Sequence, residues 1–343
     1  MCSSDLNRGV NESSNALPPN PLTVLLLGAS GTIGSATLTE LLQRGHHVSC
    51  LVRPTAKDSE KAPAAQPDGV KSIPGDVTNA ADMNRVFQTA PFDAVVSCMA
   101  SRSGLPSDAW AIDHDAHLNI LNAASQGGVK QFVLLSAICV QKPRLSFQHA
   151  KLAFERALMS SGMTYAIVRP TAYFKSLSGQ IERLRQGKPF WVFGDGRLTS
   201  CKPISDADLA SYLADCLEQA QLRNRILPIG GPGPAITPLE QAQVLFKLLD
   251  RPVHVRHMPA SVLSAIVRAL DILSQVFPAL KDKAELARIG HYYATESMLV
   301  MNPTTGRYDA NLTPSYGQDT LFDFYREVIR QGQRIDLGEH AVF

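Results

Sequence analysis

The sequence predicts an α/β fold, a doubly wound parallel sheet followed by a smaller, mostly helical C-terminal lobe. Three observations predict it. Short apolar, β-branched runs alternate with amphipathic helical stretches from residue 23 to residue 170, the pattern of parallel strands joined by crossover helices. A glycine-rich turn joins the first run to the first helix. After residue 230 the alternation gives way to helical spacing with aromatic residues.

Composition bounds the reading. A chain of 343 residues accommodates one large α/β unit or two domains. With 45% hydrophobic and 19% charged residues it is an ordinary globule. A net charge of +2 without a long basic stripe argues against nucleic acid as a partner. Six cysteines lie scattered, with no Cys-x-x-Cys pair and no secretory signal, so reduced thiols in a cytosol-like compartment are expected. Residues 1–21 are Ser/Asn-rich and end in prolines, and they read as a disordered tail, too acidic and short for a transit peptide. No stretch approaches the roughly 18 apolar residues of a membrane span. The expected division is a nucleotide-binding domain over 22–235, with lobe insertions after residue 170, and a C-terminal lobe over 236–343.

Thr23–Leu27 is the first strand, buried and β-branched. It runs into Gly28-Ala-Ser30-Gly31-Thr32-Ile33-Gly34, and Ser35–Arg44 continues as a helix closed by Gly45. Strand, glycine turn and helix together are the context of a dinucleotide site of Rossmann type. Gly28 permits the tight turn, Gly31 the approach of a pyrophosphate, and Gly34 close packing of helix on strand. The N–H groups and dipole of the first helical turn then hold the anion. Without a ligand, the same pattern is simply a tight βα turn.

His47–Val52 is the second strand and ends at Arg53-Pro54. An NAD site carries an acidic residue about 20 residues past the glycines to bind the ribose 2′-hydroxyl. Here Arg53 stands in that place, and a guanidinium suits a 2′-phosphate. The expected cofactor is therefore NADP(H). Lys57–Gly69 reads as a loop and Val70–Ile73 as the third strand. Asp76 and Val77 follow it, where an adenine is bound, although Asp76 also suits the N-cap of a helix over Ala80–Gln88. Phe92–Cys98 is the fourth strand, and Ser97 and Met99 at its carboxyl end should lie beside the cofactor.

Ile112–Ser125 is helical and contains Asp113, His114, Asp115 and His117. No further ligand accompanies the two histidines, so a solvated helix face is expected rather than a metal site. Gln131–Ser136 is the fifth strand, Ser146–Ser160 the next helix, and Tyr165–Val168 a strand ending at Arg169-Pro170, with Pro170 beside the cofactor.

This topology with its glycine turn resembles the short-chain dehydrogenase/reductase superfamily. That resemblance implies a serine after the fifth strand, here Ser136, and a Tyr-x-x-x-Lys helix. The tyrosine is the acid/base and the lysine binds the nicotinamide ribose. The sequence reads Phe147-Gln-His-Ala-Lys151, so the lysine is kept and the tyrosine is phenylalanine. The i, i+4 spacing puts both on one helix face, but a phenyl ring cannot donate a proton. His149 points away from that face. Tyr173, beyond a strand's carboxyl end, is placed to enter the site or to pack as a loop residue. Lys151 itself, directly or through water, is the third candidate.

In the second half, Phe190–Asp195 resembles a strand, Ser205 or Asp206 caps a helix, and Arg225–Ile229 is a late strand. Thr237-Pro238 opens another helix. Longer blocks here and earlier carry a closer resemblance: Ser136–Pro143, Phe147–Glu155, Arg169–Ser176, Phe193–Ser205, Ile226–Gly233, Ile289–Val300 and Thr313–Leu321. They are similar to signatures of the NADPH-dependent 3,8-divinyl (proto)chlorophyllide a 8-vinyl reductases, and the similarity covers most of residues 22 to about 325. That family also has phenylalanine before the lysine, so the resemblance implies that the missing tyrosine belongs to its chemistry. It implies reduction of the ring B vinyl group of a magnesium chlorin or porphyrin to ethyl by NADPH, in chlorophyll biosynthesis. The magnesium comes with the substrate, and no protein metal site is implied.

A flat apolar substrate suits the aromatics of the second half, with Tyr173, Phe174, Phe193 and Tyr292 as substrate residues and Phe190, Trp191 and Tyr293 nearby in sequence. Each also suits ordinary core packing. Val262, Leu263, Ile266, Val267, Leu270, Leu273 and Phe277 form the apolar stripe of an amphipathic helix within Pro259–Leu280. It either packs on the sheet or over the pocket, or rests on a membrane that delivers pigment. Plant members of the family carry a long transit peptide, so the short tail suggests a bacterial protein in the cytosol or on a photosynthetic membrane face, and a plastid protein if eukaryotic. Two rival readings are a reductase of another conjugated substrate, as in isoflavone-reductase-like proteins, and an NADP-sensing regulator.

Overall fold

The computed structural model describes residues 21–54, 70–332 and 334–335; the tail before Pro21 and the loop Lys57–Gly69 lie outside the described residues. The strands are β1 (Thr23–Leu27), β2 (His47–Val52), β3 (Lys71–Pro74), β4 (Ala94–Ser97), β5 (Gln131–Leu135), β6 (Thr164–Pro170), β7 (Phe190–Phe193), β8 (Arg225–Ile229) and β9 (Val255–Met258). The α-helices are α1 (Thr32–Gln43), α2 (Ala80–Thr89), α3 (Pro106–Ala109), α4 (His117–Gln126), α5 (Ser146–Ser160) and α6 (Ile181–Arg185). They continue with α7 (Asp206–Glu218), α8 (Pro238–Leu248), α9 (Ala260–Val276), α10 (Lys281–Thr295) and α11 (Leu321–Arg330).

Seven strands form one sheet in the order β3-β2-β1-β4-β5-β6-β8, and every neighbouring pair is parallel. This is the expected doubly wound sheet. Alternate residues of β1 face opposite layers, as a pleated strand requires. Val24 and Leu26 pack with Leu38 and Leu41 of α1 and with Leu209, Leu213 and Leu217 of α7. Leu25 and Leu27 pack with Met83, Ile120, Phe154 and Leu158 from α2, α4 and α5. The strand order reverses between β1 and β4, and the carboxyl ends there open the crevice where such sheets bind ligands.

Phe190–Phe193 does form a strand, but it lies outside the main sheet. β7 pairs in parallel with β9, a short strand whose middle residues, Arg256 and His257, are exposed. Its charged four-residue sequence gave no apolar alternation to read. A third core gathers Phe174, Ile181, Leu184 and Phe190 with Leu245 and Phe246 of α8 and Leu321 and Tyr325 of α11. A fourth joins Ile289 and Tyr292 of α10 to Ile138, Phe147 and Ala150.

Caps follow the sequence closely. Ser205 caps α7 by accepting from the Asp208 amide, and Thr237 caps α8 in a capping box with Glu240. One expectation is corrected. Asn79, not Asp76, caps α2, accepting from the Ala81 and Asp82 amides. A second correction concerns residues 110–126. Trp110–Ala116 is a π-helical stretch that leads into α4. It turns Asp113 and His117 into the protein, where both are buried rather than on a solvated face. A third concerns α9. It packs against α10 rather than on the sheet, and it leaves Val262, Ile266, Ile272, Leu273, Val276 and the following Phe277 exposed.

Candidate functional site

The glycine turn is built as a cradle. Gly28 has φ +77°, and a Cβ there would lie 2.9 Å from the backbone of Cys98 and Met99, so neither backbone nor space admits a side chain. A Cβ on Gly34 would lie 2.0 Å from the Gly28 carbonyl oxygen, which fixes how closely α1 approaches β1. Gly31 is the N-cap of α1 and supplies no side-chain cap, and the first turn has no acidic residue. Ser30, Gly31 and Thr32 are exposed and Ile33 is half-buried. The first-turn N–H groups therefore face outward without a carboxylate to compete, as a diphosphate requires. The residues present fit a dinucleotide.

Arg53 is exposed just beyond β2. The Asp76 carboxylate accepts from the hydroxyl and amide of Thr78 at 2.7 and 2.9 Å. Those bonds, with the Arg53 charge as a smaller contribution, hold its carboxyl below the usual range. Val77 is buried, and its carbonyl accepts from the Asn119 amide at 3.1 Å.

On α5, Lys151 donates to Asp113 Oδ1 at 2.9 Å. The same carboxylate accepts from the hydroxyl and amide of Ser101 at 2.6 and 3.1 Å. Burial opposes ionisation of Asp113, but the Lys151 ammonium and the Ser101 bonds more than offset it, and its carboxyl lies below the usual range. One turn on, His117 shares a 2.9 Å hydrogen bond with Ser97 Oγ, and its Nδ1 bonds the Ile112 carbonyl at 2.8 Å. Burial drives its pKa down to about 4, so the ring is neutral at physiological pH. Lys151 is thus backed by buried polar side chains, Asp113 of the π-helical turn and His117 at the start of α4. The sequence places Asp113 on a solvated helix face and gives no direct sign of its pairing with Lys151. The two residues are 38 apart, and the usable signal was the need of a half-buried lysine for a counter-charge.

Phe147 is buried one turn before Lys151, and His149 is exposed on the far side of α5. Ser136 lies at the end of β5, and its hydroxyl donates to Glu155 at 2.5 Å. Glu155 is fully buried and also takes a bidentate pair from Arg169. Ser136 therefore faces a buried ion pair. Met99 follows β4, its amide donating to Ser97 Oγ at 3.4 Å, and Pro170 is buried at the end of β6.

Tyr173 is half-buried, and its backbone bridges to Ile204. Burial, with the neighbouring Cys98 and Cys139 thiols and Asp206, holds its hydroxyl protonated far above the ordinary phenol range. Tyr293 stands nearby, its hydroxyl 3.9 Å from Cys139 Sγ, and is also half-buried. The other aromatics divide. Phe193 is half-buried. Phe174 is buried against Phe324, with ring centroids 5.5 Å apart. Tyr292 is buried, its hydroxyl donating to the carbonyls of Cys139 and Lys142. Phe174 and Tyr292 hold the lobe together and present no face to a macrocycle. Among the described residues, no group of three or more His, Cys, Asp or Glu side chains is placed to hold a metal.

Comparison with known proteins agrees with this geometry. Residues 28–220 match a family of NAD(P)H-binding domains. The chain is 46% identical over 339 residues to the chloroplastic divinyl chlorophyllide a 8-vinyl-reductase of Oryza sativa subsp. indica, covering 96% of this chain and 84% of the rice protein. It is 44% identical over 354 residues to the protein of that name from Arabidopsis thaliana, covering 98% of this chain and 85% of the relative. Among solved structures, the NADPH complex of the quinone oxidoreductase QOR2 from Escherichia coli superposes with a TM-score of 0.64 at 18% identity, over 89% of this chain and 99% of that one. That likeness is one of fold. The glycine cradle, the half-buried lysine beside phenylalanine and the near-full-length identity converge: the chain belongs to the divinyl chlorophyllide a 8-vinyl-reductase family, on an NAD(P)H-binding Rossmann fold.

Proposed function

We propose that this chain reduces the 8-vinyl group of divinyl chlorophyllide or protochlorophyllide a to ethyl with NADPH, a step of chlorophyll synthesis. The observation that carries the reading is the pairing of a cofactor-side lysine, held by Asp113, with phenylalanine where a ketone reductase needs its acid. A carbonyl gains a proton on oxygen as hydride arrives. A vinyl group conjugated to a macrocycle does not, because the charge spreads into the ring and is neutralised by a proton on carbon.

NADPH supplies the hydride when bound. Gly28, Ser30, Gly31, Thr32, Ile33 and Gly34 would hold its diphosphate, and Arg53 its 2′-phosphate. Asp76 and Val77 would border its adenine. Lys151, fixed by Asp113, would hold the nicotinamide ribose, with Met99 and Pro170 beside the ring and Ser97 and Ser136, whose hydroxyls are engaged by His117 and Glu155, behind it. Tyr173 is our candidate proton donor. Its hydroxyl stays protonated at physiological pH and so has a proton to give to carbon as the charge in the macrocycle is neutralised. Tyr173, Phe193 and Tyr293 are the aromatics with accessible surface for the pigment.

The named relatives are chloroplastic, and we assign the chain to the same photosynthetic setting. The exposed apolar residues of α9, with Arg268, Lys281 and Lys283 exposed beside them, support peripheral contact with a membrane that carries pigment. No helix among the described residues is long and apolar enough to cross one. The test is incubation of purified protein with NADPH and each divinyl pigment, followed by chromatography. Conversion to the monovinyl pigment with matching NADPH oxidation is expected. NADPH binding without conversion of either pigment would instead favour a sensor or a reductase of another substrate.

A further inference from the structure

Lys175 stands two residues beyond Tyr173, on the segment that leaves β6 for the lobe. Its ammonium nevertheless reaches across to the glycine cradle and donates to Thr32 Oγ1 at 3.3 Å. Thr32 is the first residue of α1. The base of Lys175 is fixed. Phe174 is buried in the lobe core, and the Phe174 carbonyl accepts from Ser178 Oγ at 2.8 Å. The ammonium itself is in reach of solvent, since the side chain is half-buried.

A second charge faces the same space. Asp206 opens α7 next to its cap, Ser205. Its Oδ1 is buried and has no hydrogen-bond partner. Burial raises its pKa, and Lys175 opposes that shift. Tyr173 is also close enough for Asp206 to act on its hydroxyl. Lys175 is thus bonded to the first residue of a helix N-terminus built to receive an anion, and its charge also acts on a poorly satisfied carboxylate. An anion seated there without Lys175 would meet Asp206 uncompensated.

We propose that Lys175 is a diphosphate ligand of the cofactor, its ammonium passing from the Thr32 hydroxyl to a phosphoryl oxygen, and that it shields that anion from Asp206. The inference rests on the reading of the cradle as a nicotinamide dinucleotide site. It also gives the Tyr173 segment a direct tie to the bound cofactor, because a single residue, Phe174, separates the cation from the candidate proton donor.

The diphosphate is common to NADPH and NADH, which separates this role from that of Arg53. The test is titration of the full chain, without pigment, by NADPH, NADH and adenosine 2′-monophosphate. Lys175→Met should weaken both dinucleotides alike, about ten- to a hundredfold for a lost charge-assisted hydrogen bond. It should leave adenosine 2′-monophosphate, which has no diphosphate, unchanged. Lys175→Arg should retain most of the affinity, and Asp206→Asn added to Lys175→Met should restore part of it. Arg53→Ala should weaken NADPH and the monophosphate but spare NADH. Wild-type binding of both dinucleotides with Lys175→Met unaffected would overturn the role of Lys175 alone, as would equal weakening of the monophosphate. Failure of the wild-type chain to bind either dinucleotide would overturn the cofactor reading and this inference together.

Discussion

Lys151 acts as half of a pair. Its partner Asp113 is buried and holds its charge through Lys151 and Ser101. Removing the lysine leaves a carboxylate in the interior with two hydrogen bonds and no counter-ion. Lys151→Ala should therefore destabilise the fold by about 3 kcal/mol as well as lose activity, and Asp113→Asn in the same chain should recover much of that stability; urea unfolding of the single and double variants measures both. Equal stability of Lys151→Ala and wild type would mean that the pair does not hold Asp113. His117 makes a separate, pH-dependent contribution. Its folded pKa of about 4 lies below the ordinary 6.5, so the unfolded chain binds the extra proton first. Stability should be unaffected by this group above pH 6.5 and fall by on the order of 3 kcal/mol as pH drops to 4. His117→Gln should flatten the melting temperature across that window, and an unchanged slope would contradict the assignment. Tyr173→Phe keeps the ring and removes the hydroxyl. If Tyr173 delivers the proton, single-turnover pigment reduction should fall roughly 10²–10⁴-fold with NADPH affinity unchanged; a rate near that of wild type would assign the proton to water or Lys151.

At the scale of elements, legibility followed the range of the interactions. The glycine turn, the Ser205 and Thr237 caps and α5 were readable because each is decided within a few residues. Asp113, Glu155 and Lys175 were not, because each is defined by a partner on another element. The π-helical turn hid Asp113 and His117 for a related reason. A 3.6-residue period misassigns faces once five-residue spacing intervenes. The apolar stripe of α9 was legible as a stripe, but which part of it would be covered was not. The structure covers little of it, leaving Val276 70% and Phe277 57% exposed. Val276→Asp with Phe277→Asp should cost the fold no more than about 0.5 kcal/mol, as surface substitutions do. The same pair should abolish co-sedimentation with vesicles that contain anionic lipid. Undiminished sedimentation of the variant would remove α9 as the contact.

Over the whole molecule, two segments tie the C-terminal lobe to the carboxyl-end side of the sheet. The segment after β6 carries Tyr173 and Lys175, and α10 brings Tyr292 and Tyr293 onto the strand ends. This arrangement was readable only in outline. The parallel sheet followed from alternation, whereas the core of the lobe assembles residues from 174–192, 242–255 and 321–329, and no local pattern announces such a union. The central claim, that hydride from NADPH enters the pigment's vinyl group and a separate proton completes it, has one direct measurement. Divinyl pigment is reduced once in ordinary water with NADPH carrying deuterium at both C4 positions, and once in heavy water with unlabelled NADPH, and the products are weighed by mass spectrometry. The account predicts one deuterium in the new ethyl group from each experiment. An ethyl group without deuterium from the labelled cofactor would contradict it.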